Sequence, residues 1–313
     1  MERSMKKYLK FILNSNFRFK VLARNGFFKN MPDDIFLKKL YKIEMGKELN
    51  LLNPSTYNEK LQWLKLHDRQ LNYIDLVDKY KVKEVVADTI GEQYVVPTLG
   101  VWERFEDIEF DKLPNRFVLK CTHDSGSVVI CRNKEEFDKN KARRSLSKAL
   151  KHNFYYTSRE WCYKDVPPRI IAEEYLEDLS SLAATVDYKF FFFNGRAEFM
   201  YISRGFDNHD TAQVSFYDLE GEELEFCRDD FRCLGDFTLP PNFSELRMVA
   251  EKLYDICNAP FVRIDLYSIN GRIYFSEFTF YPASGFLSFS PNEVDGKLGE
   301  LLDLSQVDKT SLY

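Results

Sequence analysis

The sequence lacks the patterns that mark several common protein classes. Its six cysteines form no Cys-x-x-Cys pair and its four histidines are scattered, so a structural zinc site is not expected. No stretch reaches the roughly 18 apolar residues that a membrane-spanning helix needs. There is no Gly-x-Gly-x-x-Gly fingerprint and no strand–helix–strand series, which disfavours a Rossmann domain.

A basic excess, an Asp-x-Asp motif and internal repeats are missing as well. The net charge of −5 argues against a nucleic-acid-binding protein. Nucleotide-sugar transferases usually carry Asp-x-Asp on a loop, and the acidic pair Asp229-Asp230 does not supply it. The N-terminal segment has an apolar core broken by charge and no small-residue cleavage site, so it is not a convincing signal peptide. We expect the cysteines to be reduced, mostly buried thiols of a cytoplasmic protein.

Positive charge is nevertheless concentrated at one end of the chain. Residues 1–30 contain eight lysines and arginines against one glutamate, with aromatic and aliphatic residues among them. Such an amphipathic segment can lie on an anionic membrane surface. It can equally be a first helix that packs on the body of the protein and leaves its lysines in water. The sequence leaves both interpretations open.

Helical patterns come first along the chain. Residues 33–50 and 73–88 have helical periodicity, and residues 133–152 predict a further helix that Asn133 can cap. Ser55 or Thr56 can begin another helix, because Glu59 stands where a capping box requires an acid.

Strands follow and are interleaved with two long helices. The dipeptides Asn194-Gly195 and Asn270-Gly271 separate apolar runs and are typical of two-residue hairpin turns. This order predicts an α+β chain with antiparallel sheets.

The stretch FVLKCTHDSGSVVI, residues 117–130, joins a strand that ends near Lys120 to a second strand through a polar turn. Gly126 can adopt positive φ, and the turn offers hydroxyls and backbone N–H groups. Such a turn can surround phosphate oxygens, with the lysine as a cationic partner. Taken alone, a lysine beside a hairpin turn is more often solvated.

The last hairpin carries Arg263 and Asp265 on one arm and Glu277 on the other. A turn centred on Asn270-Gly271 places Asp265 opposite position 276, so Asp265 and Glu277 become near neighbours. Two carboxylates on apolar strands repel each other unless a cation lies between them, and oxygen ligands suit Mg²⁺. The alternative is a cross-strand salt bridge between Arg263 and Glu277.

Two further segments contain candidate ligands. In IIAEEYLED, the backbone of Glu174–Leu176 could present a donor–acceptor pair to an adenine edge, although strands often end in acids for solubility alone. Lys189 in DYKFFFF is either a phosphate ligand or a charge that protects an edge strand from aggregation.

In this order the segments resemble the ATP-grasp superfamily, and more closely the teichuronopeptide-biosynthesis (TupA-like) ATP-grasp family. The resemblance extends from about residue 53 to 287. It is carried by NPSTYNEKLQWLKLHD, DKYKVKEVVADTIGEQYVVPTLGVW, FVLKCTHDSGSVVI, IIAEEYLED, DYKFFFFNGR, VRIDLY and SEFTFYPASGF. It implies an ATP-grasp fold, in which two α+β subdomains with antiparallel sheets hold ATP between them.

The resemblance implies a nucleotide site. Lys79 and Lys120 match the two nucleotide-contacting lysines, and the phosphate loop spans His123 to Ser127. An acid just beyond the adenine hinge, Glu177 or Asp178, would hold the ribose. The implied loop ligands and hinge residues are Ser125, Gly126, Ser127, Glu173, Glu174, Tyr175 and Leu176.

The resemblance also implies the catalytic groups and the metal. Lys189 matches a basic position near the transferred phosphate, and Arg263 would lie near the γ-phosphate. Asp265 and Glu277 match the magnesium carboxylates. The usual Glu-x-Asn ending is replaced by Glu277-Phe278-Thr279, so the third ligand is Thr279 or absent, and one magnesium is better supported than two.

On this resemblance we predict four regions: a helical basic region 1–50, an N-terminal part 51–115, a small nucleotide-binding subdomain 116–176 and a C-terminal subdomain 177–313 with the metal site. The implied activity is ATP- and Mg²⁺-dependent amide formation through an acyl phosphate. The implied partners are a small-molecule or glycan carboxylate, a uronic acid for cell-surface polysaccharide assembly, and an amine.

Asp187 and His209 are the candidates for a general base in that reaction. Two alternatives remain: a glycosyltransferase or kinase of the same pathway, and a non-catalytic nucleotide-binding protein.

Overall fold

The computed structural model describes residues 2–177, 186–205, 211–235 and 237–307. Asp178 and His209 lie outside the described residues. The helices are α1 (Glu2–Leu13), α2 (Ser15–Arg24), α3 (Asp33–Met45), α4 (Tyr57–His67), α5 (Asn72–Val77), α6 (Lys81–Ile90), α7 (Lys139–Leu150), α8 (Tyr155–Ser158), α9 (Phe243–Cys257) and α10 (Val294–Leu301).

The strands begin after the first six helices. They are β1 (Thr98–Trp102), β2 (Phe117–Cys121), β3 (Val128–Cys131), β4 (Ile170–Glu174), β5 (Val186–Phe193), β6 (Arg196–Arg204), β7 (Gln213–Tyr217), β8 (Cys227–Arg228), β9 (Phe261–Ile269), β10 (Arg272–Thr279) and β11 (Phe289–Ser290).

The helices largely begin and end where the capping residues in the sequence predict. Thr56 accepts a hydrogen bond from the Glu59 backbone N–H, and the Glu59 carboxylate accepts one from the Thr56 N–H, which completes the expected capping box at α4. Helix α3 ends before residue 50, because Gly46 adopts a left-handed conformation (φ 70°) at its C-terminus. The helix predicted over 133–152 begins at Lys139, where Asp138 caps it.

The helix predicted over residues 73–88 is interrupted. Asp78 Oδ1 accepts hydrogen bonds from the N–H groups of Tyr80 (2.9 Å) and Lys81 (3.4 Å), so a second helix starts there. The Lys79 N–H instead donates to Thr122 O (3.1 Å), which ties the junction to the end of β2. The break between α5 and α6 therefore places Lys79 beside the polar turn.

The smaller sheet has the order β1-β4-β2-β3, and every described pair in it is antiparallel. Its strand β1 comes from the segment 51–115 and its other strands from 116–176. Helix α7 covers one face, where Leu146 joins Phe117, Leu119 and Ile170 in a buried cluster. This leaves the opposite face and the β2–β3 turn for other contacts.

The larger sheet has the order β10-β9-β5-β6-β7 and is antiparallel throughout its described pairs. Both predicted hairpin turns are present, with positive φ at Asn194 (43°) and Asn270 (51°) and at the glycine that follows each. Phe190 and Phe192 contact α9 residues. Since side chains alternate along a strand, Asp187 and Lys189 of β5 point to the other face.

The N-terminal helices form a separate buried cluster that includes Phe19, Phe36 and Tyr41. Helix α2 takes part in this cluster, whereas α1 exposes Met5, Tyr8, Leu9, Ile12 and Leu13. A first helix with only its lysines in water therefore does not describe α1.

The α+β class with antiparallel sheets is confirmed. All six cysteines are free thiols, four of them buried, Cys227 partly exposed and Cys233 exposed. No helix within the described ranges is long and apolar enough to cross a membrane.

Candidate active site

The charged row of the site is built on β9 and β10. Asp265 lies directly opposite Glu277, and Arg263 lies opposite Thr279. The register that the turn predicted placed Asp265 opposite position 276, and it is wrong by one residue. A β-bulge between Phe275 and Glu277 shifts the returning strand, which brings the two carboxylates into one cross-strand pair.

Asp265 is fully buried and bound by two cationic groups. Arg263 makes a bidentate pair with it, Nε to Oδ1 at 2.7 Å and Nη2 to Oδ2 at 2.7 Å. Lys189, its partner in the β5–β9 ladder, donates to Oδ2 at 2.5 Å. Burial would raise the pKa of Asp265, but Arg263 and Lys189 outweigh it and hold that pKa below its usual value.

The same ion pairs raise the pKa values of the two cations, Lys189 and Arg263. Burial by itself lowers the pKa of Lys189, while Asp187 and Asp265 raise it further than burial lowers it. Burial also opposes the charge of Arg263, and Asp265 overcomes that effect to raise its pKa. Both groups are therefore held positively charged although they are buried.

Glu277 is the accessible carboxylate of the row. Its side chain is 39% exposed, and Oε1 lies 3.4 Å from both Arg263 Nη2 and Thr279 Oγ1. Arg263 Nη2 also donates to Thr279 Oγ1 at 3.1 Å. The cross-strand salt bridge and the paired carboxylates, which the sequence presented as alternatives, thus occur together.

The donor set is compatible with Mg²⁺. The groups are hard oxygens of Asp265, Glu277 and Thr279, and Mg²⁺ is usually held by one or two carboxylates together with phosphate oxygens. Both Asp265 oxygens already accept hydrogen bonds from Arg263, so Glu277 is the more available ligand. Among the described residues, no group of three or more histidine, cysteine, aspartate and glutamate side chains could hold a metal ion. Phosphate oxygens of a nucleotide would therefore have to complete the coordination of Mg²⁺.

Asp187 lies at the edge of this row. Lys189 Nζ is 3.4 Å from its Oδ1, and Ser203 Oγ is 3.4 Å from its Oδ2. Burial raises the pKa of Asp187, Lys189 lowers it in part, and the negative charge of Asp265 adds to the increase. Asp187 is thus a carboxyl whose proton affinity exceeds that of an ordinary aspartate.

On the smaller sheet, Lys120 forms an ion pair with Glu173. Lys120 Nζ lies 2.6 Å from Glu173 Oε2, and Lys83 Nζ lies 2.5 Å from Oε1 of the same carboxylate. Burial would raise the pKa of Glu173, but the two lysines outweigh it and lower that pKa to about 2. Lys83 was not among the predicted residues. Its position four residues after Lys79 is the signal that could have found it.

Lys120 also links the two sheets electrostatically. Burial lowers its pKa and Glu173 raises it more, and Tyr267 and Glu277 of the larger sheet contribute to the increase. The predicted phosphate lysine and the predicted metal carboxylate therefore lie within electrostatic range of each other. The sequence places them 157 residues apart.

The predicted phosphate loop, residues 123–127, is held at its base by hydrogen bonds. Ser127 Oγ donates to Asp124 Oδ1, and Lys79 Nζ donates to the Asp124 carbonyl. His123 is buried, and its Nε2 lies 3.1 Å from His152 O at the end of α7. The loop tip, Ser125 and Gly126, is exposed, and Gly126 has φ 96°.

The predicted adenine hinge leaves the sheet after Glu174. Glu173 and Glu174 still pair with β2, whereas Tyr175 and Leu176 follow the strand. Asn270 Nδ2 donates to Glu177 O at 2.9 Å, which connects the hinge to the turn of the last hairpin. Of the two predicted ribose acids, Glu177 pairs with Arg116 at 2.5 Å, and Asp178 is outside the described residues.

Comparison with solved structures finds several ligases. The chain is similar to D-alanine–D-alanine ligase from Bacillus anthracis (15% identity, 86% of this chain and 83% of that chain, TM-score 0.40) and from Helicobacter pylori (14%, 80% and 70%, TM-score 0.43). It is also similar to the ATP-grasp ligase PsnB complexed with minimal precursor (10%, 74% and 61%, TM-score 0.41). No curated protein matches the chain.

A family model gives the stronger result. The model described as TupA-like ATPgrasp matches residues 59–303, a span that contains the predicted phosphate loop, the predicted adenine hinge, and the row of Arg263, Asp265 and Glu277. Because this match covers well over half of the chain, the protein belongs to the TupA-like ATP-grasp family.

Proposed function

We propose that this protein is an ATP- and Mg²⁺-dependent carboxylate–amine ligase that forms an amide through an acyl phosphate. The supporting observation is the buried pair of Lys189 and Arg263 beside the accessible Glu277, within electrostatic range of Lys120. Fixed positive charge of the smaller sheet and of the larger sheet thus lies within electrostatic range of one accessible carboxylate. A phosphoryl group in transit between two oxygens requires such an arrangement.

In the proposed reaction a carboxylate oxygen bonds to the γ-phosphorus of ATP, and the bond from that phosphorus to the β,γ-bridging oxygen breaks. The amine nitrogen then bonds to the acyl carbon, phosphate leaves, and the nitrogen loses a proton. The protein supplies alignment and charge neutralisation in this scheme, not a covalent nucleophile.

The chain's own residues divide this work. Lys120 and Lys79 would hold nucleotide phosphates at the smaller sheet, and the exposed tip Ser125–Gly126 would close over them. Lys189 and Arg263 would stabilise the oxygens of the transferred group. Mg²⁺, held by Glu277 with Asp265 and Thr279, would neutralise phosphate charge. Tyr175 and Leu176, whose backbone lies beyond the sheet, would meet the adenine edge.

Asp187 is the proposed proton acceptor for the amine. It lies beside Lys189, and its pKa is raised chiefly by burial, so it binds a proton more readily than an ordinary aspartate. His209, the other candidate, lies outside the described residues.

We further propose that the acid is a uronic acid of a glycan precursor and the amine an amino acid or simple amine, in cell-surface polysaccharide assembly. The proposed location is the cytoplasmic face of the membrane, contacted through residues 1–30. The family resemblance supports the substrate class, and the basic N-terminal region supports the location.

The test incubates purified protein with ATP, Mg²⁺, glucuronic acid and a pool of amino acids, and follows ADP and free phosphate. Free phosphate that requires both the acid and an amine supports the ligase. ADP with phosphate retained on the sugar would indicate a kinase instead. No turnover, combined with no thermal shift on adding ATP–Mg²⁺, would contradict the proposal.

A matched pair of variants distinguishes the site from general charge effects. Glu277→Gln removes the accessible carboxylate and should abolish turnover. Glu251→Gln makes the same change on the exposed face of α9, where Glu251 pairs with Arg247, and should leave turnover unchanged. Full activity of Glu277→Gln would show that the metal assignment is wrong.

A further inference from the structure

One face of α1 is apolar and exposed. Met5, Tyr8, Leu9, Ile12 and Leu13 are separated by three or four residues or adjacent, which places them on one side of the helix. Their exposure runs from 49% at Ile12 to 80% at Leu13. Large apolar side chains grouped in this way on a surface indicate an interaction site.

This face is held in a fixed direction. Arg18 Nη1 donates to the Ile12 carbonyl at 2.7 Å, which ties the end of α1 to α2. Asn14 Oδ1 accepts a hydrogen bond from the Phe17 N–H at 2.8 Å and begins α2 at once. Helix α2 is in turn anchored through buried Phe19 and Ala23. The apolar face of α1 is therefore fixed to the rest of the protein through α2.

Helix α7 is the second strongly basic segment. Residues 139–151 contain six lysines and arginines and no acid. Together with residues 1–30, this segment holds fourteen of the 44 basic residues and only one of the 49 acidic ones. Since the net charge is −5, the remainder of the chain is strongly acidic.

The fold brings the ends of α2 and α7 together. Arg159, which follows α8, donates from Nη2 to Phe28 O at 2.7 Å, so the turn after α2 lies against α8. His152 joins α7 to α8, and its Nε2 lies 3.0 Å from Thr157 Oγ1. Burial lowers the pKa of His152, and the positive charges of Arg24 and Lys148 lower it further, so both charges lie near this one ring.

We propose that α1, the end of α2 and the end of α7 form a docking surface for an anionic lipid bilayer. The apolar face of α1 would enter the boundary between headgroups and acyl chains. Exposed Arg24, Lys29, Lys148 and Lys151 would meet the phosphate headgroups. The acidic remainder of the chain would be repelled, which fixes the orientation.

Charge favours this occupant over a second copy of the chain. A symmetric dimer through α1 would bring two basic surfaces together, and like charges across an interface oppose binding. This proposal deepens the membrane location proposed above and rests on it, but the surface lies outside the catalytic groups and does not depend on the proposed reaction. The proposed membrane surface lies next to the proposed phosphate loop, because His123 of that loop contacts the backbone at the C-terminal end of α7.

The experiment is co-sedimentation of the full chain with vesicles of phosphatidylcholine alone and of phosphatidylcholine with phosphatidylglycerol. We expect binding to the second kind only, weakening as salt is raised. Lys148→Ala/Lys151→Ala should weaken it about 25-fold, at about fivefold per charge. Leu9→Glu/Leu13→Glu should weaken it by more than about tenfold.

The matched control is Arg196→Ala/Lys252→Ala, which removes two charges near the β5–β6 turn and on α9. It should bind vesicles as the wild type does. Equal binding to both vesicle types, or equal loss in the control, would overturn the proposal. So would a wild-type dimer that Leu9→Glu/Leu13→Glu dissociates and that binds no vesicles. Thermal unfolding with ATP–Mg²⁺, run on every variant, reports separately on fold and nucleotide site. If Leu9→Glu/Leu13→Glu fails to fold, the vesicle binding of Lys148→Ala/Lys151→Ala alone tests the proposal, and wild-type binding by that variant would overturn it.

Discussion

Replacing Asp265 with asparagine should destabilise the protein as well as inactivate it. Asp265 is the fully buried anion that faces Arg263 and Lys189, and the substitution leaves two buried cations with a neutral partner. Removing one partner of a buried ion pair costs about 3–5 kcal/mol. With an unfolding entropy of about 2 cal/mol/K per residue, this corresponds to a fall in Tm of about 5–8 °C for a chain of this length.

The comparison variant is Glu277→Gln. Glu277 lies across the same strand pair but is 39% exposed, with its nearest cationic nitrogen at 3.4 Å. An ion pair of this kind contributes about 1 kcal/mol or less, so Tm should change by less than about 2 °C. The complete burial of Asp265 is what distinguishes the two substitutions.

The assay is thermal unfolding of the two variants and the wild type, followed by circular dichroism in the same buffer. An Asp265→Asn protein that melts at the wild-type temperature would refute the buried ion-pair arrangement. If the Tm of Glu277→Gln falls as far as that of Asp265→Asn, the assignment of Glu277 as the accessible carboxylate is refuted.

Three further outcomes are expected. Lys120→Ala should weaken ATP binding measured by calorimetry, because Lys120 is the cation at the base of the proposed phosphate loop, whereas Lys252→Ala on α9 should not. The pKa of Glu173 falls from 4.5 to about 2 on folding, so its contribution is complete above pH 4.5 and is lost as the pH drops toward 2. Glu173→Gln should therefore be less stable than the wild type by about 3 kcal/mol at neutral pH and by progressively less in acid, as urea titrations at each pH would reveal; a constant difference would contradict this. Gly126→Ala should slow turnover through strain at φ 96°, without a loss of Tm beyond about 2 °C, since a Cβ there meets no atom within 4 Å; unchanged turnover would show that the loop tip does not close.

Local signals in the sequence predicted much of the fold. The capping box of Thr56 and Glu59 and the turns at Asn194 and Asn270 depend on residues within four positions of each other, and each is present. The α+β class follows from the order of such signals. These features are local, so a single sequence contains the information that they require.

Features that depend on distant partners could not be predicted in this way. The break before α6 requires the Lys79 N–H to find Thr122 O, and the bulge after Phe275 depends on how β10 pairs with β9. Lys83 became a candidate only when the fold placed it on Glu173. The exposure of the apolar face of α1 could not be predicted either. The spacing of apolar residues along the sequence is the same whether the helix packs on the protein or not.

The central claim, that the protein forms an acyl phosphate and then an amide, can be tested by oxygen transfer. Glucuronic acid labelled with heavy oxygen in its carboxylate is incubated with the protein, ATP, Mg²⁺ and an amine, and the released phosphate is analysed by mass spectrometry. The account predicts one labelled oxygen in each phosphate, because the carboxylate oxygen that bonds to phosphorus leaves with it. Phosphate released without label in the presence of amide product would contradict the account.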